Sequence, residues 1–188
     1  MAAPAVESIR PLYADWHGYN RRVIEAIGRL THEDLALVVP MARTEGGGWP
    51  IWAAAAHTVS ARAWWLCHVL GEPGVETTPF TDPTGFGWED DLSTVHSGDE
   101  VLGAWESTWG LVASCLDRWT VPMLSEEIPV FDGRGVQTRQ SILLRLITHE
   151  AYHVGEIGLT LATHGREPID LWPNADWRID SPRSLREG

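Results

Sequence analysis

Apolar residues recur at helical spacing in four long stretches of the chain, and between them the pattern breaks at glycine, proline and clustered polar residues. The first stretch covers roughly residues 9–30, with Pro11 acceptable in its opening turn and Leu12, Tyr19, Val23, Ile27 and Leu30 on one side. Thr31-His32-Glu33-Asp34 then reads as the cap of a short turn before Pro40. The second stretch, roughly 50–70, follows Gly46 to Gly48 and Trp49-Pro50, starts alanine-rich and stops at Gly71-Glu72-Pro73-Gly74. Residues 72–96 carry no period and read as a long loop pinned by Phe80, Phe86 and Trp88. Ser97 and Glu100 form a capping box for the third stretch, 98–120, in which Val101, Trp105, Trp109, Val112, Leu116 and Trp119 recur until Pro122. Ile128 to Val136 is a short extended excursion around a glycine turn, and the fourth stretch, 138–164, ends before Gly165. Residues 166–188 read as a proline- and tryptophan-containing tail packed on the rest.

Four amphipathic helices of this length predict an all-α fold, a four-helix bundle formed by a single domain over residues 1–188. The fourth helix carries the chemistry. His149 and His153 lie four residues apart, so their rings project from one face about one turn apart, where two nitrogens can share a metal ion. Ile142, Leu146, His149, His153 and Ile157 follow the rhythm of a core-facing stripe, and two imidazoles there need partners. Bundles build metal sites from side chains on facing helices, and His57 is the best third ligand, because Ala53 to Ala56 leave room for its ring to reach across. His68 stands eleven residues further along that helix. At roughly 16 Å from His57 it cannot share the same ion. His17, His68 and His96 read as hydrogen-bonded structural residues.

The composition narrows the partners. With a net charge of −12 and no lysine, most of the surface repels phosphate backbones and anionic membranes. Small molecules, or a second copy of the chain in a homodimer, remain. The N-terminal residues show neither a signal peptide nor a membrane span, and Cys67 and Cys115 lie inside helical patterns, which fits a cytoplasmic protein with reduced thiols. Eleven tryptophans are read mostly as core, with Trp49 and Trp52 on the approach to His57 as possible pocket walls.

Gly47-Gly48-Trp49-Pro50-Ile51-Trp52 leading to His57, and His149-Glu150-Ala151-Tyr152-His153-Val154-Gly155-Glu156-Ile157, resemble the second-helix and last-helix signatures of the DinB or YfiT-like superfamily of metal-binding four-helix bundles. The resemblance covers most of the chain. It implies a divalent metal, often nickel, zinc or iron, held by three imidazoles that transfer to His57, His149 and His153, with open coordination positions. Characterised members of that superfamily include S-transferases and a maleylpyruvate isomerase that use mycothiol or bacillithiol, and a related domain forms the iron site of ergothioneine-type sulfoxide synthases. This chain departs from the last group in having no room for their second, larger domain. It also carries Val154 and Glu156 where the thiol transferases often carry arginine and glutamine.

An open three-histidine site keeps the full charge of its metal, which turns a bound water or thiol into a nucleophile near neutral pH. The leading expectation is therefore a metal-dependent transferase, isomerase or hydrolase acting through a small thiol such as mycothiol, or through water. Zinc, nickel and ferrous iron all suit such ligands. A non-catalytic metal- or ligand-binding module is the alternative. A further rival rests on His149-Glu150-x-x-His153, the helix motif of zinc peptidases, with Glu150 as catalytic base and Glu156 or Glu167 as a third ligand. The extended form of that motif fails at Glu156 and Leu159, and no sheet edge is predicted to hold a peptide. Glu150 points about 100° away from His149, which makes it an outer partner of the metal, a base or, first of all, a solvated surface residue.

Overall fold

A computed structural model describes residues 7–40, 47–85 and 87–171. Phe86 and the tail beyond Leu171, both part of the expectations above, lie outside the described residues. The described chain is dominated by helices. A 3₁₀ turn at Arg10–Tyr13 leads into α1, Ala14–Ile27, and α2 is the single turn His32–Leu35. Next come α3, Ile51–Ala63, continued by a π-helical segment Trp64–Val69, then α4, Gly98–Arg118, and α5, Arg139–Thr163. Two antiparallel ladders complete the set: β1, Val38–Val39, with β2, Trp49–Pro50, and β3, Glu127–Val130, with β4, Gly135–Thr138.

The helix starts follow from local chemistry. Thr31, Ser97 and Thr138 each accept a hydrogen bond from a backbone N–H of the first turn, as the capping boxes of α2, α4 and α5. Pro50 precedes α3, and the Ile51 N–H donates to the Leu37 carbonyl at 2.9 Å, which ties the start of α3 to the end of α2. Gly48 makes that junction possible. Its φ is +154°, and a Cβ there would sit 2.2 Å from the Val39 carbonyl oxygen. The β1–β2 ladder it serves was not expected from the sequence, since two residues per strand leave no period to read.

The first helix differs from expectation at both ends: α1 stops at Ile27, short of Leu30, and its start is out of phase. Leu12 is 65% exposed, and Ile9 is buried instead, its N–H donating to the Trp119 carbonyl at 2.9 Å. The cause is the 3₁₀ turn, whose three residues per turn shift Leu12 out of phase with α1. Elsewhere the predicted stripes are buried: Val23 and Ile27 of α1, Val101, Trp105, Val112 and Leu116 of α4, and Ile142, Leu146 and Ile157 of α5. At the centre lies α3, packed on both α4 and α5, while α1 packs on α4. Ala53 to Ala56 are fully buried, and their small side chains allow this double approach. The excursion before α5 forms the β3–β4 hairpin, as the glycine turn predicts. Among the described residues no helix is long and apolar enough to cross a membrane.

Candidate metal centre

Three imidazoles meet where α3 faces α5. His57, His149 and His153 each present a ring nitrogen, and the three nitrogens lie within 4.8 Å of one another. The ring centroids of His57 lie 5.0 Å from those of both His149 and His153, and the latter two are 4.5 Å apart. The Nε2 atoms of His57 and His149 are separated by 3.3 Å. Two nitrogens bound tetrahedrally to one zinc-sized ion at about 2.0–2.1 Å are about 3.3–3.4 Å apart, so this spacing is that of a ligand pair. The sequence selects these three positions for simple reasons: one helical turn separates the pair on α5, and the alanines of α3 bring His57 close to it.

The remaining ring nitrogens show how each imidazole is held. His57 donates its Nδ1–H to Glu89 Oε1 at 2.5 Å, and His153 donates its Nδ1–H to Glu156 Oε2 at 2.8 Å. Each bond leaves Nε2 as the free donor nitrogen. His149 differs, because its Nδ1 is buried without a hydrogen-bond partner. Burial, followed by the neighbouring His153 and His57, pushes His149 down to about 4, the Thr58 backbone opposing weakly. Burial also lowers His153, against the opposing pull of Glu156. Neutral imidazoles are what a divalent ion requires of its ligands, and the donor set fits one.

The cluster is not sealed. The His57 side chain is 27% exposed, Tyr152 beside His153 is exposed, and the Trp49 ring packs 4.7 Å from that of His57. Trp49 thus lies beside His57, whereas Trp52 is buried against His96.

Glu150 is placed differently from the expectation of a solvated residue. It is 7% exposed and sits in a second polar cluster on the α1 side of α5. Its Oε1 accepts from Arg62 Nε at 2.7 Å and its Oε2 from Trp16 Nε1 at 2.8 Å. Arg62, fully buried, also donates to Asn20 Oδ1 at 2.8 Å and to the Trp105 carbonyl and Thr108 Oγ1, both at 3.3 Å. Its guanidinium lies over the rings of Trp105 and Trp109. Glu150 also lines a cavity of about 160 Å³ with Trp16, Asn20 and Val154, and none of the three histidines lines it. The reason is a helix buried on two sides: the 100° step that the sequence reading took toward solvent points toward α1 instead.

The other candidates separate from the centre. His68 faces the Phe80 carbonyl at 3.2 Å, His96 stacks on Trp88 at 3.7 Å, and His17 lies beside Trp109. Glu167 is exposed, and Glu156 serves His153 rather than joining the nitrogens as a ligand. Cys67 and Cys115 are free and buried, and burial pushes their thiols up to about 11 and about 12. The sequence reading did not single out Glu89, which lies in an aperiodic loop; its one local signal is an acid next to Trp88, an aromatic that loops rarely leave exposed. Trp88 packs on Phe80 and His96 within that loop, His96 in turn packs on Trp52 of α3, and the turn Trp88–Asp90 lies against α3.

Residues 15–157 match the family model described as the DinB superfamily. No curated protein matches the chain.

Proposed function

This chain belongs to the DinB superfamily, and from that premise and the convergence of its histidines we propose that it is a divalent-metal-dependent enzyme. The reading has His57, His149 and His153 as the metal ligands, carried by a single-domain four-helix bundle. The packing of α3 on α4 and α5, and of α1 on α4, supports that arrangement. The observation that carries the proposal is the meeting of three imidazoles at a partly exposed position where no fourth histidine, cysteine, aspartate or glutamate joins them among the described residues. A purely structural site is normally closed by four protein ligands, whereas a catalytic one keeps a position for substrate.

When bound, the metal supplies a Lewis acid that makes a thiol or a water acidic enough to act as a nucleophile near neutral pH. The chain's own residues set the conditions. Burial lowers the pKa of both His149 and His153, which favours the neutral form whose lone pair a metal binds. Trp49 and Tyr152 flank the rings and bound the approach of a small molecule. Glu150 takes no part in the reaction in this reading, because Arg62 and Trp16 occupy both of its oxygens on another face of α5. The reaction class is transfer to, or isomerisation of, a small electrophile, with a low-molecular-weight thiol such as mycothiol as co-substrate and the cytoplasm as its setting.

The test is elemental analysis of untagged protein beside His153→Ala, followed by thiol titration of the cobalt-substituted protein. About one ion per chain, lost in the variant, is expected, together with a change in the cobalt spectrum on adding thiol. Metal-free protein that refuses zinc, nickel and iron would sink the proposal; a bound ion whose spectrum ignores thiols would leave water as the nucleophile.

A further inference from the structure

The long loop before α4 is joined to the centre through one carboxylate. Glu89 sits in the 3₁₀ turn Trp88–Asp90, its side chain is only 9% exposed, and Oε1 holds the His57 Nδ1–H at 2.5 Å while Oε2 has no hydrogen-bond partner. An anionic oxygen hidden in this way is costly unless a positive charge lies nearby. Few groups compensate it: His57 itself is neutral when it binds a metal, and among the described residues no arginine forms an ion pair with Glu89. On α5, Glu156 treats His153 in the same manner, at 2.8 Å, with a side chain 23% exposed.

A second feature shows that the place of Glu89 is built. Its carboxylate folds back over the backbone of Gly87, whose N–H is held by Asp90 Oδ2 at 2.9 Å. A Cβ at Gly87 would lie 2.2 Å from Glu89 Oε2 and 2.8 Å from Oε1. The φ of Gly87 is −100°, which any residue adopts, so what the glycine provides is space, and a side chain there would have to displace the Glu89 carboxylate.

We propose that Glu89 and Glu156 are positioning residues of the metal centre, which lock the Nδ1–H tautomers of His57 and His153, aim their Nε2 atoms at the ion and balance its charge from outside the ligand set. The proposal rests on the metal-binding reading above. Three neutral ligands leave a divalent ion with both charges, and two carboxylates one bond further out return the centre to neutrality without occupying the open positions. Carboxylates bonded to the far nitrogen of a ligating histidine raise its basicity and fix its ring, and removing one weakens metal binding about 10–100-fold. The pair is asymmetric in origin. Glu156 comes with the histidine it serves, one helical turn along, whereas Glu89 arrives only when the loop packs against α3, so the loop completes the centre.

The experiment compares zinc affinity, by competition with a chromophoric chelator, and the cobalt absorption spectrum in wild type, Glu89→Ala, Glu89→Gln, Gly87→Ala and Glu156→Ala, with apoprotein melting curves to establish that each variant folds. Glu89→Ala and Glu156→Ala are expected to weaken zinc binding about 10–100-fold and to shift the cobalt bands. Glu89→Gln, whose amide oxygen still accepts the Nδ1–H, should recover part of the loss. Gly87→Ala should behave like Glu89→Ala although the carboxylate is still present. Folded variants that bind zinc within about twofold of wild type, with unchanged spectra, overturn the positioning role while leaving the metal centre standing. Wild-type protein that binds neither ion overturns both.

Discussion

His149 and Glu150 are neighbours on α5, and His57 and Arg62 are five residues apart on α3, yet the polar clusters they build between the same two helices differ in kind. Around Arg62 the protein partners both charged groups: each guanidinium nitrogen donates, both Glu150 oxygens accept, and the two charges cancel within the core, with only the neutral Trp105 Nε1 beside them lacking a partner among the described residues. Around His57 it does not. His149 Nδ1 and Glu89 Oε2 have no partner, and two Nε2 atoms face each other at ligand spacing. Both clusters break an apolar core, so polarity alone does not mark a binding site. What separates them is whether the charged groups find their hydrogen bonds and counter-charges in the chain itself.

The strongest way to break the closed cluster is Arg62→Ala, which strands the buried Glu150 carboxylate. A loss of about 3–5 kcal/mol of unfolding free energy is expected in denaturant titration. Substituting both residues with apolar ones of similar size should restore much of it, and an unrecovered loss would contradict the view of a self-contained pair. Acid provides a second comparison, on the apoprotein. His149 is held at about 4 in the folded chain against an ordinary value of 6.5. Below 6.5 the unfolded state takes up a proton that the folded state refuses until about 4, so the stability from keeping this ring neutral is complete above 6.5 and is lost as pH falls toward 4. After allowance for solvent screening the loss is about 1–2 kcal/mol, readable from unfolding curves between those pH values. The smallest effect is expected from His149→Leu, which removes an unpartnered buried nitrogen: the apoprotein should keep its stability at pH 7 or gain about 1 kcal/mol, and the acid slope should flatten. A loss rivalling that of Arg62→Ala would make the histidines architecture after all.

The sequence disclosed elements whose burial has one period. Long stripes on α4 and α5, capping boxes at Ser97 and Thr31, and the alanines before His57 all announce themselves within a few residues. What it concealed depends on contacts distant in the chain. Glu150 is separated by 134 residues from Trp16, whose indole shows which way the carboxylate faces, and a helix buried against two neighbours has no free side for a charge to occupy. Arg62 gave a signal that was not read: a lone cation within the apolar stretch from Ile51 to Leu66 calls for a buried anion. Glu89 gave almost none, since a loop without period offers no face to assign and its partner lies 32 residues away.

The π-helical segment Trp64–Val69 follows directly on the part of α3 that carries His57 and Arg62, and the Leu70 N–H bonds the Trp65 carbonyl five residues back at 3.1 Å. Such a turn holds one residue more than the α-helical turn it replaces. In evolutionary terms it is a place where a helix absorbs a single-residue insertion without moving anything upstream. Comparison of this chain with a relative whose second long helix is α-helical throughout should therefore keep register from Trp49 to Ala63 and then slip by one position. Histidines and tryptophans beyond Ala63 would fall opposite the wrong partners unless a one-residue gap is opened there.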